Sequence, residues 1–478
     1  MLFNSVGFAI FFVFVFFLYW FVFNKSLKWQ NIFLAVCSYF FYGCWDWRFM
    51  FLLGFSTFLD YFSGLKIFES GTASKKKFWL ILSVGLNLGF LGFFKYYNFF
   101  IESFAELLSS VGFTPHMATL NIILPVGISF YTFHGLSYVF DIYFGKIKPT
   151  RNWIDYSLFV SFFPLLVAGP IERATHLLPQ VEKPRTFNYT KAVDGLRQVL
   201  WGLFKKVVVA DNCAELANTI FTNHQQYSGS TLALGAMLFA IQIYGDFSGY
   251  SDIALGTARL LGFELLQNFR FPYFSRDIAE FWRRWHISLS SWFRDYLYFP
   301  LGGSREGMAK TIRNTFIIFL VSGFWHGANW TFLAWGGLNA LFIMPSIVFK
   351  TNRRNLDTVA QGRKLPSIRE CGQLVLTFCL ASFAWIFFRA ESISDAFTYI
   401  KEMFTASLFQ SRDVISGKVL AIVGVFMLIE WLGRENKYAL EKLTLKWKRP
   451  LSWAFYYLII LAILCFTGTE QQFIYFQF

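Results

Sequence analysis

Two histidines stand inside polar-aromatic runs of a chain that is otherwise dominated by apolar residues: Trp285-His286-Ile287-Ser288-Leu289-Ser290-Ser291-Trp292 and Gly323-Phe324-Trp325-His326-Gly327-Ala328-Asn329-Trp330. An ionisable side chain flanked by apolar spans is costly to keep away from water, so such a position is a functional candidate by default. The chemistry open to it is proton transfer. A neutral imidazole, with an ordinary pKa of about 6.5, can take the proton from a hydroxyl as that oxygen attacks a carbonyl carbon. If the helix through His326 persists, Asn329 and Trp330 share its face at i+3 and i+4. Asn329 would then orient the imidazole or donate to a developing oxyanion. Taken alone, His326 would also fit a buried histidine bonded to a neighbouring carbonyl.

The elements that must position these residues are membrane helices. Of 478 residues, 55% are hydrophobic and 15% charged, with 64 Phe, 17 Trp and 22 Tyr. Apolar stretches of roughly 17 to 25 residues recur, each long enough to cross a bilayer as helix. The expected fold class is therefore an all-α polytopic membrane protein. No long polar linker or low-complexity tract separates autonomous parts, so residues 1–478 read as a single membrane domain: N-terminal spans over 1–120, a core region over 121–350 and C-terminal spans over 351–478. The formal charge of +14 could suggest nucleic acid. The basic residues, however, fall in short segments between apolar spans, as the positive-inside bias demands, which makes membrane lipid the expected partner and excludes nucleic acid. Cys37, Cys44, Cys213, Cys371, Cys379 and Cys465 form no CxxC pair and no metal-like spacing with histidine, so no metal is expected. No GxSxG, GxxxxGK[ST] or HExxH string occurs, and Phe247 separates Asp246 from Ser248 in the one run that loosely resembles a GDS nucleophile box.

Charge asymmetry gives a topology. Val6 to Phe23 reads as a retained first span with the N-terminus outside. Lys25 and Lys28 mark the first inner loop, Lys66 and Lys75 to Lys77 the second, and Lys146, Lys148 and Arg151 the third, whereas residues 98–120 hold no Lys or Arg. Ser157 to Ala168 is short and contains Pro164, so it reads as re-entrant or interfacial. Spans follow near 195–218 and 231–258. Residues 259–313 then hold nine Arg or Lys among aromatics and belong at the cytoplasmic face. His286, just after Arg283 and Arg284, lies nearer that face, which suits a supporting or donor-site role. Because basic segments flank it on both sides, Thr315 to Phe349 must enter the membrane and return, with His326 near the turn. Further spans near 372–388, 417–433 and 451–467 give about eleven to twelve crossings and an external C-terminus. Gly323 and Gly327, like Gly245 and Gly249, have the spacing that lets helix backbones approach closely. His116, His134, His176 and His224 have no recognised acid-base spacing.

Several motifs in order carry a resemblance. Asp246-Phe247-Ser248-Gly249-Tyr250-Ser251-Asp252, Asn268-Phe269-Arg270-Phe271-Pro272-Tyr273, Trp282-Arg283-Arg284-Trp285-His286 through Arg294-Asp295-Tyr296 and Pro300-Leu301-Gly302-Gly303, and Trp325-His326-Gly327 together closely resemble the membrane-bound O-acyltransferase family, in particular its bacterial alginate O-acetylation branch. Pro125 to Phe130, Phe163-Pro164, Ala168 to Ile171 and the ending Phe473 to Phe478 agree with it. The resemblance implies a ring of tilted helices, with re-entrant and cytoplasmic interfacial helices, around a central tunnel. It implies transfer of acetyl from a cytoplasmic thioester, acetyl-CoA, with no tightly bound cofactor, to a hydroxyl of a cell-envelope or exported polysaccharide. Transfer would be direct or through an extracytoplasmic partner such as an SGNH-type acetyltransferase, in the bacterial cytoplasmic membrane. The family's catalytic histidine falls on His326 and its second histidine on His286. Trp285, Ser290, Asp295, Trp325 and Asn329 become candidates for the substrate passage. Guanidinium forks match phosphate oxygens, so Arg276, Arg283, Arg284 and Arg294 could hold the donor's phosphates, but a positive belt against lipid headgroups is the favoured reading. Two rivals differ in kind: a D-alanyl transfer protein for teichoic acids fed by a carrier-protein thioester, and a transporter or flippase, although no internal repeat of the kind common in transporters is evident.

Overall fold

The computed structural model describes residues 1–113, 119–167, 169–469 and 471–476. His116, Ala168, Gln477 and Phe478, named above, lie outside the described residues. Helices form wherever a long apolar run follows a short polar cap. Ser5, Thr72, Asn152, Asp277, Asn329, Ser392 and Ser416 each accept a first-turn backbone N–H with the side chain, and Ser367 with Glu370 forms a reciprocal capping box. No strand occurs among the described residues. The chain forms two compact units, residues 1–192 with 258–266 and residues 193–257 with 267–478.

The first unit contains α1 (Val6–Phe17), α2 (Leu27–Gly43), α3 (Arg48–Glu69), α4 (Ala73–Leu91), α5 (Tyr97–Ser110), α6 (Ile128–Tyr143), α7 (Trp153–Ser161), α8 (Phe163–Leu166) and α9 (Ala174–Val181). The segment expected to be re-entrant falls on the second half of α7 and on α8, broken at Phe162 and buried from Ser157 to Val167, too short to cross a bilayer. Helix packing here is pinned by buried polarity. Asp60 on α3 accepts from Ser83 and Asn87 of α4 at 2.7 Å each, and Gly135 of α6 leaves room for that carboxylate.

In chain order the remaining helices are α10 (Tyr189–Leu203), α11 (Asp211–Thr222), α12 (Gly229–Leu260), α13 (Ile278–Arg284), α14 (Ile287–Phe293), α15 (Met308–His326), α16 (Trp330–Val348), α17 (Ile368–Arg389), α18 (Ile393–Met403), α19 (Gly417–Gly433) and α20 (Arg449–Cys465). A π-helical segment, Phe204–Ala210, joins α10 to α11. α12 packs directly against α10: Gly249 faces the carbonyl of Gly202, and Gly256 that of Gly195, at distances no side chain would permit. Five helical runs among the described residues have the length and hydropathy of a full crossing, Arg48–Glu69, Ala73–Ser110, Gly229–Leu260, Trp330–Val348 and Ile368–Arg389; Val6–Val22 and Arg449–Cys465 are apolar but shorter. The expected eleven to twelve crossings are thus only partly visible as uniformly apolar helices. The reason is burial inside protein: the run from α10 through the π-helical segment into α11 carries Lys205, Lys206 and Asp211 yet buries all three, so it can be helical without being apolar.

Candidate active site

His286 is held by an irregular backbone. The carbonyl of Asn268 accepts from Ile287 N at 2.9 Å, that of Arg284 from Arg270 N at 3.0 Å, and the Asn268 side-chain oxygen accepts from Ser288 Oγ at 2.6 Å. Clamped on both sides, His286 adopts φ 42°, a left-handed conformation that costs a non-glycine residue free energy and that concentrates at functional sites. Its ring is 1% exposed and neither nitrogen has a hydrogen-bond partner among the described residues. Burial pushes this imidazole down to about 3, so it is neutral at physiological pH.

His326 is the last residue of α15, and Gly327 to Asn329 turn the chain into α16. The two helices form a tight hairpin. Gly323 lies against the carbonyl of Phe332 and Gly336 against that of Phe319, so a β-carbon at either would overlap backbone; Gly327 is covered by the Phe332 ring. A hairpin with His326 at its turn, as the charge pattern leads one to expect, is what these residues build. One expectation fails with it. Because the helix stops at His326, Asn329 does not share its face; its oxygen caps Thr331 N at 3.0 Å and its amide nitrogen donates to the Glu391 carbonyl at 3.0 Å. Asn329 shapes the turn, and Trp330 is exposed.

The two histidines meet. Their ring centroids are 6.5 Å apart, with Trp325 6.0 Å from His286 and 5.0 Å from His326. Trp335 and Phe388 close the far side of His326 at 5.1 and 5.4 Å, and Phe247 of α12 packs edge-on to His286 at 4.7 Å. His326 therefore faces protein side chains, 3% exposed. Sequence reasoning missed Tyr475. The segment 471–476 folds back so that its ring stands 5.5 Å from His326 and 6.3 Å from His286. A buried charge cluster fixes it there: Lys206 Nζ contacts Asp211 at 2.8 Å, Asp246 at 2.9 Å and the Gln471 carbonyl at 2.9 Å, while the other Asp246 oxygen accepts from Ile474 N at 2.7 Å. The available signal was the pairing of an aromatic chain ending with an acid inside Gly245-Asp246-Phe247, and only the fold joins them.

Other proposed residues fall elsewhere. Trp285 is buried against Phe269, Phe281 and Trp385 and forms a wall behind His286. The Ser290 hydroxyl donates to the Trp285 carbonyl at 3.5 Å, and its backbone N–H to the His286 carbonyl at 3.0 Å. Asp295 pairs with Arg294, whose side chain is mostly exposed. His224 bridges Glu402 and Asp395 at 2.6 and 3.0 Å, and His176 meets Glu172 at 2.8 Å, neither beside the paired histidines' rings.

The arginines of α13 are occupied by protein. Arg284 and Arg276 both bind the buried Glu280 carboxylate, and both reach the Asp357 carbonyl, while Arg283 donates to the carbonyls of Asn352 and Asn355 at 2.5 and 2.6 Å. Their visible role is to tie residues 352–357 onto α13, which leaves those forks no geometry for donor phosphate. Glu280→Ala would take the carboxylate from buried Arg284 and one of two from Arg276, which keeps Asp357 at 2.9 Å, and we expect a loss of about 3 kcal/mol, read as a lower melting temperature in detergent. Arg294→Ala should stay within about 0.5 kcal/mol of wild type in the same assay.

A family model described as membrane-bound O-acyltransferase matches residues 146–388, a stretch holding both histidines. The chain belongs to the membrane-bound O-acyltransferase family. It is a multi-pass membrane acyltransferase. It is similar to the probable alginate O-acetylase AlgI of Pseudomonas putida, 36% identical over 476 residues that cover 94% of this chain and 95% of that protein. The peptidoglycan O-acetyltransferase of Helicobacter pylori is 35% identical, covering 84% of this chain and 80% of that protein. The teichoic acid D-alanyltransferase of Bacillus subtilis is more distant, 26% identical over 58% of this chain and 71% of that protein.

Proposed function

We propose that this chain is an O-acetyltransferase of the bacterial cytoplasmic membrane that passes acetyl from cytoplasmic acetyl-CoA to a hydroxyl of a cell-envelope or exported polysaccharide. The observation that carries the reading is the placement of His326 at a buried hairpin turn with its ring 6.5 Å from that of His286. The O-acetylase names of the high-coverage relatives support acetyl over D-alanyl, and polysaccharide as acceptor. In the proposed step His326 removes the acceptor proton as the oxygen attacks the thioester carbonyl; collapse of the tetrahedral intermediate expels the thiolate, which takes that proton back. His286, neutral and without a partner on either nitrogen among the described residues, holds the donor or the attacking group. The acceptor hydroxyl belongs to the glycan or to a serine of an SGNH-type extracytoplasmic partner, and both chain termini lie outside the cytoplasm.

Donor identity tests the reading. Inverted membrane vesicles given labelled acetyl-CoA should label a glycan or an envelope protein, whereas a D-alanyl carrier-protein thioester should not. Label entering only from the carrier thioester would move the chain to the D-alanyl reading.

A further inference from the structure

The α13 guanidiniums are satisfied by protein acceptors, but a second concentration of positive charge, within the first unit, is not. Lys183, Arg185, Lys191 and Arg259 line a cavity of about 290 Å³ together with Trp20 and Phe187. Lys191 and Arg259 share one carboxylate, Glu264, at 3.2 and 3.4 Å. Lys183 and Arg185 have no ion-pair partner among the described residues. Arg185 is nonetheless fixed: it donates to Gln30 at 3.1 Å and to Asn31, to the carbonyls of Gln180 and Val181 at 3.4 and 3.3 Å, and lies 4.7 Å over the Phe263 ring. Neutral acceptors and an aromatic face orient the guanidinium without cancelling its charge, and its Nε is buried with no partner among the described residues. Lys183 and Arg185 thus place on the cavity wall positive charge that no carboxylate contacts among the described residues.

The rim carries a second chemistry. Phe187 is 49% exposed and packs edge-on to Trp20 at 5.5 Å, next to Phe17 and Phe21 of the first apolar helix, which are 55% and 70% exposed. An anion whose carrier is apolar would satisfy cavity and rim together. We infer that this cavity binds the phosphate of a phosphate-bearing ligand through Lys183 and Arg185, and the apolar rim points to an anionic membrane phospholipid as the molecule that brings it. Such a lipid would brace α1 against the α9–α10 connection.

The test uses the full chain in phosphatidylcholine nanodiscs titrated with phosphatidylglycerol, bound lipid being counted by native mass spectrometry. The exposed pair Lys183→Gln/Lys191→Gln should retain at least about tenfold less phosphatidylglycerol than wild type. Lys75→Gln/Lys77→Gln, which removes equal charge from α4, should retain it like wild type. A parallel arm adds pyrophosphate to nanodiscs of phosphatidylcholine alone; saturable binding lost in the Lys183/Lys191 variant supports the same phosphate site with a soluble occupant. Equal phosphatidylglycerol retention and equal pyrophosphate binding in wild type and that variant overturn the site, and so does equal loss in the Lys75/Lys77 variant. No arm reads acetyl transfer, so the outcome is independent of the function proposed above.

Discussion

Replacing His326 by alanine is expected to lower glycan O-acetylation by at least about 100-fold, the lower end of what a positioned base contributes. Of the groups around that ring, Trp325, Trp335, Phe388 and Tyr475 are not bases at neutral pH, and His286, its ring centroid 6.5 Å away, is a far weaker base because burial pushes its imidazole down to about 3. Alanine also leaves a void among packed rings, so His326→Gln, closer in volume, separates lost chemistry from lost packing. Both variants should reach the membrane at comparable levels by quantitative immunoblot, and both should be inactive when released acetate is measured after mild base. A glutamine variant with more than about a tenth of wild-type acetylation would mean that the imidazole is not the base.

The second large effect is on stability. Lys206→Met removes the only cation in contact with both Asp211 and Asp246 among the described residues and leaves two buried carboxylates facing each other, a change worth about 3 to 5 kcal/mol. The consequence reaches the site because Asp246 and Lys206 also hold residues 471–474, and with them Tyr475. We expect a lower melting temperature in detergent and faster digestion from the C-terminal end by carboxypeptidase. Adding Asp246→Asn to Lys206→Met should recover part of the loss, since one uncompensated charge then disappears; strict additivity of the two changes would contradict the coupling.

Much of this was legible in the chain because charge and apolar length act locally. The hairpin of α15 and α16 follows from basic segments on both sides of one long apolar stretch, and a close approach there from the spacing of Gly323 and Gly327. The absence of a spanning helix between residues 259 and 313 followed from nine cations among aromatics, and α13, α14 and the adjoining turns are indeed short. Asn329 was misread because a helix face was extended one turn beyond a Gly-Ala-Asn break, where asparagine is more at home as a cap. Neither phosphate binding nor a headgroup belt describes Arg276, Arg283 and Arg284, because sequence does not reveal that Glu280 and a loop some 70 residues later consume them. Tyr475 could not be placed at all: its position depends on Lys206 and Asp246, two residues each more than 200 positions away. Local patterns thus expose the helices and the histidines, whereas the company the histidines keep is decided by buried long-range ion pairs.

The most direct test of the central claim is a single-turnover assay in sealed proteoliposomes, with labelled acetyl-CoA supplied on one side and acceptor glycan, with any partner protein it requires, on the other. Wild-type protein should move label to the acceptor across the membrane, and His326→Gln protein, reconstituted to the same density, should move none above background. Equal transfer by the two proteins would contradict the assignment of His326 as the base that drives acetyl transfer.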